Sequence, residues 1–438
     1  MHKGFIFNHN KCVSCNACSA ACILENGWGI HTRKIFTYNS EAELSLPLVN
    51  LSLACNHCES AICMEGCPTS AYRRESVTGA ILLDDRKCIG CRYCQWNCPY
   101  DAPKFDVESK IIAKCNLCYS ILLEGSLPAC SSACPTGALS FGQLSVSGSR
   151  SYSWFPDKKL NPGIEFSSDI NDTPLKIVPE NIFQRSGSEN SKKRKNNSDE
   201  LSLIIFSFLA TLSVATIISS FLKGDFPKKI IFIPLIILVG VVSLFHLGKK
   251  LRSWRSITNL RNSPLSREIA AFIVYGSVSA LAVITHIPGF LLVSSITGLI
   301  FLMLIDSVYI YADKRRSVFL HSGQTFISAL IIVSFFSGIL LPFVFIAIIK
   351  LVSSIYRLSV KKVNATDFGI RFLRIAFLIV PGINMILHAS TTDIFIFFIF
   401  LTGELLDRII FYLDFNPLNI NTLIDKHINI ERDEKKRG

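Results

Sequence analysis

Sixteen cysteines, all of them between Cys12 and Cys134, limit what this chain can fold into more than anything else in its 438 residues. They form four quartets. The first runs Cys12-x2-Cys15-x2-Cys18-x3-Cys22, and the third, Cys88-x2-Cys91-x2-Cys94-x3-Cys98-Pro99, repeats its spacing. The other two are variants: Cys55-x2-Cys58-x4-Cys63-x3-Cys67-Pro68 and Cys115-x2-Cys118-x11-Cys130-x3-Cys134-Pro135. Three soft thiolates close together in sequence can wrap one iron-sulfur core, while the distant fourth, followed by proline, serves a neighbouring core. Sixteen thiols in four quartets therefore fit four 4Fe-4S clusters. A zinc knuckle would pair Cys-x2-Cys units into one tetrahedral site, and the triplets at 12 to 18 and 88 to 94 leave a surplus thiol each. Catalytic or redox-sensing thiols do not call for a tandem repeat. Disulfides at this density belong to small secreted domains, and Phe5-Ile6-Phe7 is too short for the apolar run of a secretion signal.

Hydropathy divides the chain a second time. The first 200 residues read as soluble, and the remainder is a series of apolar runs separated by short basic loops, a contrast that the mean hydropathy of +0.39 conceals. The net charge of +12 would point to nucleic acid if Lys and Arg formed a patch with interleaved aromatics. They sit instead between apolar segments and read as membrane-topology signals, so no nucleic-acid partner is expected.

With these motifs in view, residues 1 to about 145 resemble the four-cluster iron-sulfur subunit of the dimethyl sulfoxide reductase family of molybdenum enzymes, most specifically over "CIGCRYCQWNCPYDAPKF". The resemblance implies two nested ferredoxin-like units, the first and fourth motifs sharing one and the second and third the other. The ligand sets it implies are Cys12, Cys15, Cys18 with Cys134; Cys22 with Cys115, Cys118, Cys130; Cys55, Cys58, Cys63 with Cys98; and Cys67 with Cys88, Cys91, Cys94. The last of these would lie nearest the membrane. Nitrate reductase relatives put Trp where Cys91 stands and build a three-iron cluster, so Cys91 implies four irons here.

From about Ser145 to Glu200 the composition turns to Ser, Asn, Lys and Pro, ending in Lys192-Lys193-Arg194-Lys195. A segment so polar has little to bury and is expected to be a flexible joint. The basic run then reads as a solvated charge cluster or as an inside anchor for the span that follows. Leu201 to Phe221 is an uncharged stretch of 21 residues, enough at 1.5 Å per residue to cross a hydrocarbon core of roughly 30 Å. Further candidate spans are Ile230 to Leu247, Ile269 to Ile287, Phe290 to Ala312, Ile375 to Ser390 and Ile394 to Leu413. Ser322 to Ile355 would be about 51 Å as one helix, long for one crossing and short for two. Basic residues at both of its ends, Lys314-Arg315-Arg316 and Arg357, Lys361, Lys362, favour a hairpin turning near Gly338 to Pro342. That gives eight spans. With this parity most short-loop Lys and Arg, including Lys249, Lys250, Arg252, Arg255, Arg261 and Arg267, share a side with the cluster domain, and Lys223, Lys228 and Lys229 lie opposite. The positive-inside rule then turns the clusters toward the cytoplasm, whereas the dimethyl sulfoxide reductases proper place this domain outside. Quinone-linked sulfite-oxidising complexes are among the cytoplasm-facing relatives.

Ionisable residues in spans are costly and are functional candidates by default. His246, Glu268, Asp306, Glu404 and Arg408 all fall on the cluster side. Their surroundings, "FHLGKKLRSWRS", "SPLSREIA" and "LTGELLDRIIFY", resemble the anchor subunit of the same family, a quinol-oxidising bundle without haem. The resemblance assigns His246 to a quinone carbonyl and Glu268 to proton relay. In a blander reading, His246 at a helix C-terminus and Glu268 in a first turn behind Ser263-Pro264 answer to the helix dipole. Glu404 and Arg408, spaced i, i+4, are expected to form an intramembrane ion pair. His286 and His388 are read as interfacial or packing residues.

The sequence thus predicts an α+β ferredoxin-like domain over 1–145, a flexible basic linker over 146–200, an all-α eight-helix transmembrane bundle over 201–415 and a polar cytoplasmic tail over 416–438. The expected function is electron transfer between a molybdopterin catalytic subunit and menaquinone or ubiquinone. No molybdopterin site is recognisable in the sequence, so substrate chemistry is assigned to that partner. A hub serving a non-molybdenum partner such as a hydrogenase is the alternative.

Overall fold

A computed structural model describes residues 3–27, 32–38, 49–144, 155, 160–167, 197–312, 321–360, 365–388 and 394–415. The expected basic run Lys192 to Lys195, the loop cations Lys314 to Arg316, Lys361 and Lys362, and the tail 416–438 lie outside the described residues. The chain separates into two units, one preceding Asn196 and one formed by Asn196–Asn416.

In the first unit, strand β1 (Lys3–Phe7) alternates so that Phe5 and Phe7 point into the core, 1% and 0% exposed. It pairs antiparallel with β8 (Leu139–Gln143) and parallel with β9 (Ile164–Phe166). Three hairpins lie between: β2 (Lys34–Tyr38) with β3 (Val49–Leu53), β4 (Tyr72–Arg74) with β5 (Ile81–Leu83), and β6 (Lys104–Asp106) with β7 (Ile111–Ala113). Acidic side chains close the last two turns. Glu75 accepts from the N–H groups of Val77 and Thr78, and Asp106 from those of Glu108 and Ser109. Five short helices carry or border the cysteines: α1 (Ala17–Asn26), α2 (Ile62–Glu65), α3 (Tyr93–Asn97), α4 (Tyr119–Leu123) and α5 (Ala129–Ser132). Helix α1 packs on α5 and α2 on α3, which sets the first motif against the fourth and the second against the third.

This unit runs past the boundary expected at residue 145. Phe155, Leu160, Ile164 and Phe166 are buried in its core, so the assignment of all of 146–200 to a flexible linker is corrected for this part. The short Ile164-Glu165-Phe166 alternation is lost in the polar average around it, yet it answers the open edge of β1.

The second unit contains eight helices of 13 residues or more among the described residues: α6 (Asn197–Lys223), α7 (Lys229–Ser243), α8 (Pro264–Thr285), α9 (Pro288–Ala312), α10 (Thr325–Ser337), α11 (Leu340–Val360), α12 (Ala365–His388) and α13 (Ile394–Asp414). Five of them, α6, α8, α9, α11 and α12, are long and apolar enough to cross a membrane. Helices α7 and α10 are apolar but short, 15 and 13 residues, or about 22 and 20 Å against a hydrocarbon core of about 30 Å. The ambiguous stretch is two helices, broken where Gly338 takes a left-handed conformation (φ +73). The run expected from Ile230 to Leu247 stops earlier, since the helix ends at Ser243 and residues 244–246 form a turn.

The bundle packs in the manner of membrane helices, with small and polar residues inside and large aliphatics outside. On α9, Ser294, Ser295 and Gly298 are buried while Ile296, Ile300 and Met303 are exposed. The Ser279 and Ser294 hydroxyls lie 2.5 Å apart, and the Tyr275 hydroxyl donates to Ser213 Oγ at 3.2 Å. A Cβ on Gly298 would meet Val214 Cγ1 at 2.9 Å, so only glycine lets α6 and α9 approach this closely.

Charge is buried here too, and it is paired between helices. Lys350 Nζ, fully buried on α11, donates to Glu404 at 2.6 Å, Asp407 at 2.9 Å and Ser328 Oγ at 3.0 Å. Arg374 donates to Asp407 at 2.8 Å, and Arg371 grips both oxygens of Asp414 at 2.7 and 3.1 Å. Arg408 donates to Ser207 Oγ at 2.7 Å and to the Gly323 carbonyl at 2.9 Å, and lies 3.8 Å from Asp306. Asp306 in turn caps α10 by accepting from the N–H groups of Thr325 and Phe326. The Glu404–Arg408 pair expected from i, i+4 spacing is therefore corrected. Glu404 is taken by Lys350 of α11, while the Arg408 guanidinium lies over the Phe411 ring of its own helix and donates to groups outside that helix.

Removing one partner of such a network leaves a charge stranded. Lys350→Met is expected to lose about 3–5 kcal/mol, read as a fall in melting temperature and membrane accumulation, and Lys350→Met with Glu404→Gln to recover most of that loss.

Candidate functional site

Each Cys-x2-Cys loop is bent by residues in the left-handed region: Ser14 and Asn16, His57, Gly90 and Arg92, Leu117 and Cys118. Such residues are uncommon outside glycine, and their recurrence between the thiols marks a shared device. Alternating right- and left-handed residues turn successive N–H groups inward, forming a concavity that favours a negative group. Helices α1, α3 and α4 then start within one residue of a cysteine, at Ala17, Tyr93 and Tyr119.

These loops bring together thiols from different motifs. One cavity is lined by Cys12, Cys15, Cys18 and Cys134, a second by Cys55, Cys58, Cys63 and Cys98, and a third by Cys67, Cys88, Cys91 and Cys94. Cys22 and Cys130 are each electrostatic neighbours of both Cys115 and Cys118, and Cys115 also feels Cys55 of another set. Among the described residues no three His, Cys, Asp or Glu side chains converge at single-ion distances. The sulfurs instead stand around cavities, a donor set of soft thiols in fours that fits a multi-atom iron-sulfur core.

Burial decides the charge state of the free thiols. It pushes Cys98 up to about 12 and Cys118 up to about 11, and it raises Cys58, Cys63, Cys91 and Cys115, with neighbouring sulfurs adding to the effect on each. Thiolates crowded in fours are stable only with a cation among them, so metal binding here expels protons. Two buried residues with no distinctive motif hold the loops. His57 Nδ1 accepts from the Ile81 N–H at 2.9 Å, and Lys114 Nζ donates to the carbonyls of Ile81 and of Cys115.

In the membrane unit, Glu268 lies on α8, 6% exposed, with Arg408 and Asp306 as its charged neighbours. Ser263 caps this helix and Pro264 opens it, but Glu268 falls beyond the first turn, which removes the simple dipole account. His246 is half-buried in the turn after α7, not on a helix end. Both flank a segment of tight turns, Lys250–Ile257, that packs on α8. His286 is the left-handed C-cap of α8, exposed, with its ring 4.9 Å from Phe226, in keeping with an interfacial role. The side chain of His388 lies outside the described residues.

Sequence reasoning missed two features. The network residues Lys350, Arg371, Arg374, Asp407, Asp414 and His321 are one. His321 Nδ1 accepts from the Gly323 N–H at 2.9 Å, so Nε2 carries the proton toward Asp414 at 3.1 Å. The other is a cleft of about 530 Å³ among α6, α7, α10 and α13, lined by Phe226, Phe232, Phe335, Phe336 and Phe397 with Lys223. It is mainly aromatic with Lys223, Asp225 and Lys228 also lining it, is wide enough for a ring or an acyl chain, and neither His246 nor Glu268 lines it.

Comparison with known proteins accounts for both units. A family described as a 4Fe-4S dicluster domain matches residues 48–144, and one described as the DMSO reductase anchor subunit matches 195–364. A component of the anaerobic dimethyl sulfoxide reductase of Haemophilus influenzae is 35% identical over 152 residues, covering 32% of this chain and 74% of the relative. Its counterpart in Escherichia coli K12 is 34% identical over 152 residues, with 32% and 73% covered. A component of the sulfite dehydrogenase of Allochromatium vinosum is 32% identical over 162 residues, with 32% and 68% covered. With its thiol-bearing loops in one unit and apolar helices in the other, the protein thus belongs to the dimethyl sulfoxide reductase family, as an iron-sulfur electron-transfer subunit fused to the membrane anchor.

Proposed function

We propose that the protein carries electrons between a molybdopterin catalytic subunit and the membrane quinone pool through four 4Fe-4S clusters, one on each cysteine quartet. The observation that carries this reading is the division of all sixteen thiols into four neighbouring sets, three of them each lining one cavity. Reductase and sulfite dehydrogenase components among the relatives support sulfite, dimethyl sulfoxide or a similar compound as the partner's substrate. When bound, the clusters supply one-electron steps, which match a two-electron substrate to a carrier that is charged one electron at a time. The thiolates hold iron, and the left-handed loops aim N–H groups at the negative core.

At the membrane, two electrons pass to or from a quinone together with two protons. His246 holds a quinone oxygen by hydrogen bond, and Glu268 takes up or returns a proton. A buried carboxylate flanked by Arg408 and Asp306 is suited to that exchange because neighbouring charges fix its position without consuming it in a direct ion pair. All eight helices cross or enter the bilayer, the short α10 buried inside the bundle and the short α7 on its outside. Loop cations such as Lys250, Arg261 and Arg267, all exposed, support a cytoplasmic side for the clusters by the positive-inside rule.

Two experiments test this reading. Cys91→Ser is expected to convert or abolish one cluster signal in electron paramagnetic resonance and leave the other three; four unchanged signals would overturn the ligand set. His246→Ala and Glu268→Gln are expected to slow cluster reduction by a quinol analogue roughly 100-fold, with all cluster signals retained. Unslowed reduction would exclude both residues from the quinone site and turn attention to the aromatic cleft, where Phe336→Ala is the matching variant.

A further inference from the structure

Arg33, immediately before β2, is a cation buried in the core of the first unit, 2% exposed. Nη1 donates to Ser52 Oγ at 3.1 Å, and the guanidinium carbon stands 4.4 Å above the ring of Phe5. The backbone is pinned as well, since the Arg33 carbonyl accepts from Ser19 Oγ at 2.8 Å. Nε and Nη2 are buried with no hydrogen-bond partner in the structure. An unpaired guanidinium so deep in a core is unfavourable unless negative charge faces it. The groups around it are the thiols of Cys130, Cys115, Cys18 and Cys22. Cys18 belongs to one quartet and the other three to a second, so Arg33 stands between two sites. Lys114 differs, because its Nζ already donates to two carbonyls.

We propose that Arg33 sets the reduction potential of two clusters at once, those on Cys12, Cys15, Cys18, Cys134 and on Cys22, Cys115, Cys118, Cys130. This rests on the cluster reading above. A core held by four thiolates is negative, and gaining one electron makes it more so, with no bond formed or broken. A fixed positive charge and two N–H donors beside the sulfurs stabilise the reduced form more than the oxidised one and raise the potential. Because one side chain serves both sites, its charge shifts both potentials in the same direction.

The test is a potentiometric titration of the full chain with its catalytic partner in native membranes, followed by electron paramagnetic resonance, with Arg33→Gln and Arg33→Lys compared. For Arg33→Gln, two of four midpoint potentials are expected to fall by about tenfold in the one-electron equilibrium, roughly 59 mV, with iron content kept. Arg33→Lys, which retains the charge, is expected to restore most of the shift. Four unchanged potentials in Arg33→Gln, an equal shift in all four, or loss of clusters in both variants alike would overturn the proposal. Fewer than four clusters in the unmutated protein would instead overturn the cluster reading itself, before any variant is compared.

Discussion

Sulfur that has to become negative inside a protein core is the constraint on which the first unit rests. Burial and mutual crowding hold the thiols of Cys58, Cys63, Cys91 and Cys115 in their neutral form, so iron is the condition under which the quartets can exist as ligands. The rest of the unit follows from that need. Left-handed loops turn N–H groups toward the sulfurs, short helices begin at or beside the cysteines, and β1 against β8 closes the first motif on the fourth.

The second unit meets the corresponding difficulty in a different solvent. Four carboxylates, Asp306, Glu404, Asp407 and Asp414, stand against four cations, Lys350, Arg371, Arg374 and Arg408. Their partners lie on different helices, so the network ties α9, α11, α12 and α13 together where lipid offers no hydrophobic force between them. The turn at His321 to Gly323 is drawn into the same centre: Ser322 donates to Asp407 at 2.8 Å, and a Cβ on Gly323 would strike the Asp407 carbonyl. Glu268 sits at the edge of this paired region, close enough to feel its charges and outside its direct ion pairs.

Much of this was legible in the sequence because spacing is a direct image of ligand geometry. The four cysteine motifs and the break at Gly338 follow from local signals, whereas the sharing of thiols between motifs, first with fourth and second with third, rests on the family resemblance. Other features depend on partners far along the chain. Strand β9 is three residues whose meaning comes only from β1. Lys350 is a single charge within an apolar run, and its two carboxylate partners are 54 and 57 residues away. Glu404 and Arg408 shared a helix face, and the period could not reveal that each had a better partner across the bundle. His246 closed an apolar run that hydropathy extends past the last helical hydrogen bond, since a turn of apolar residues reads the same as a helix.

The central claim, that the thiol-rich unit is an electron relay joined to a lipid-embedded anchor, is tested most directly by the metal it holds. Iron and acid-labile sulfide would be counted on the full-length protein purified without air. Four clusters of four predict about sixteen of each per molecule. Zinc in their place, with no sulfide, would contradict the account.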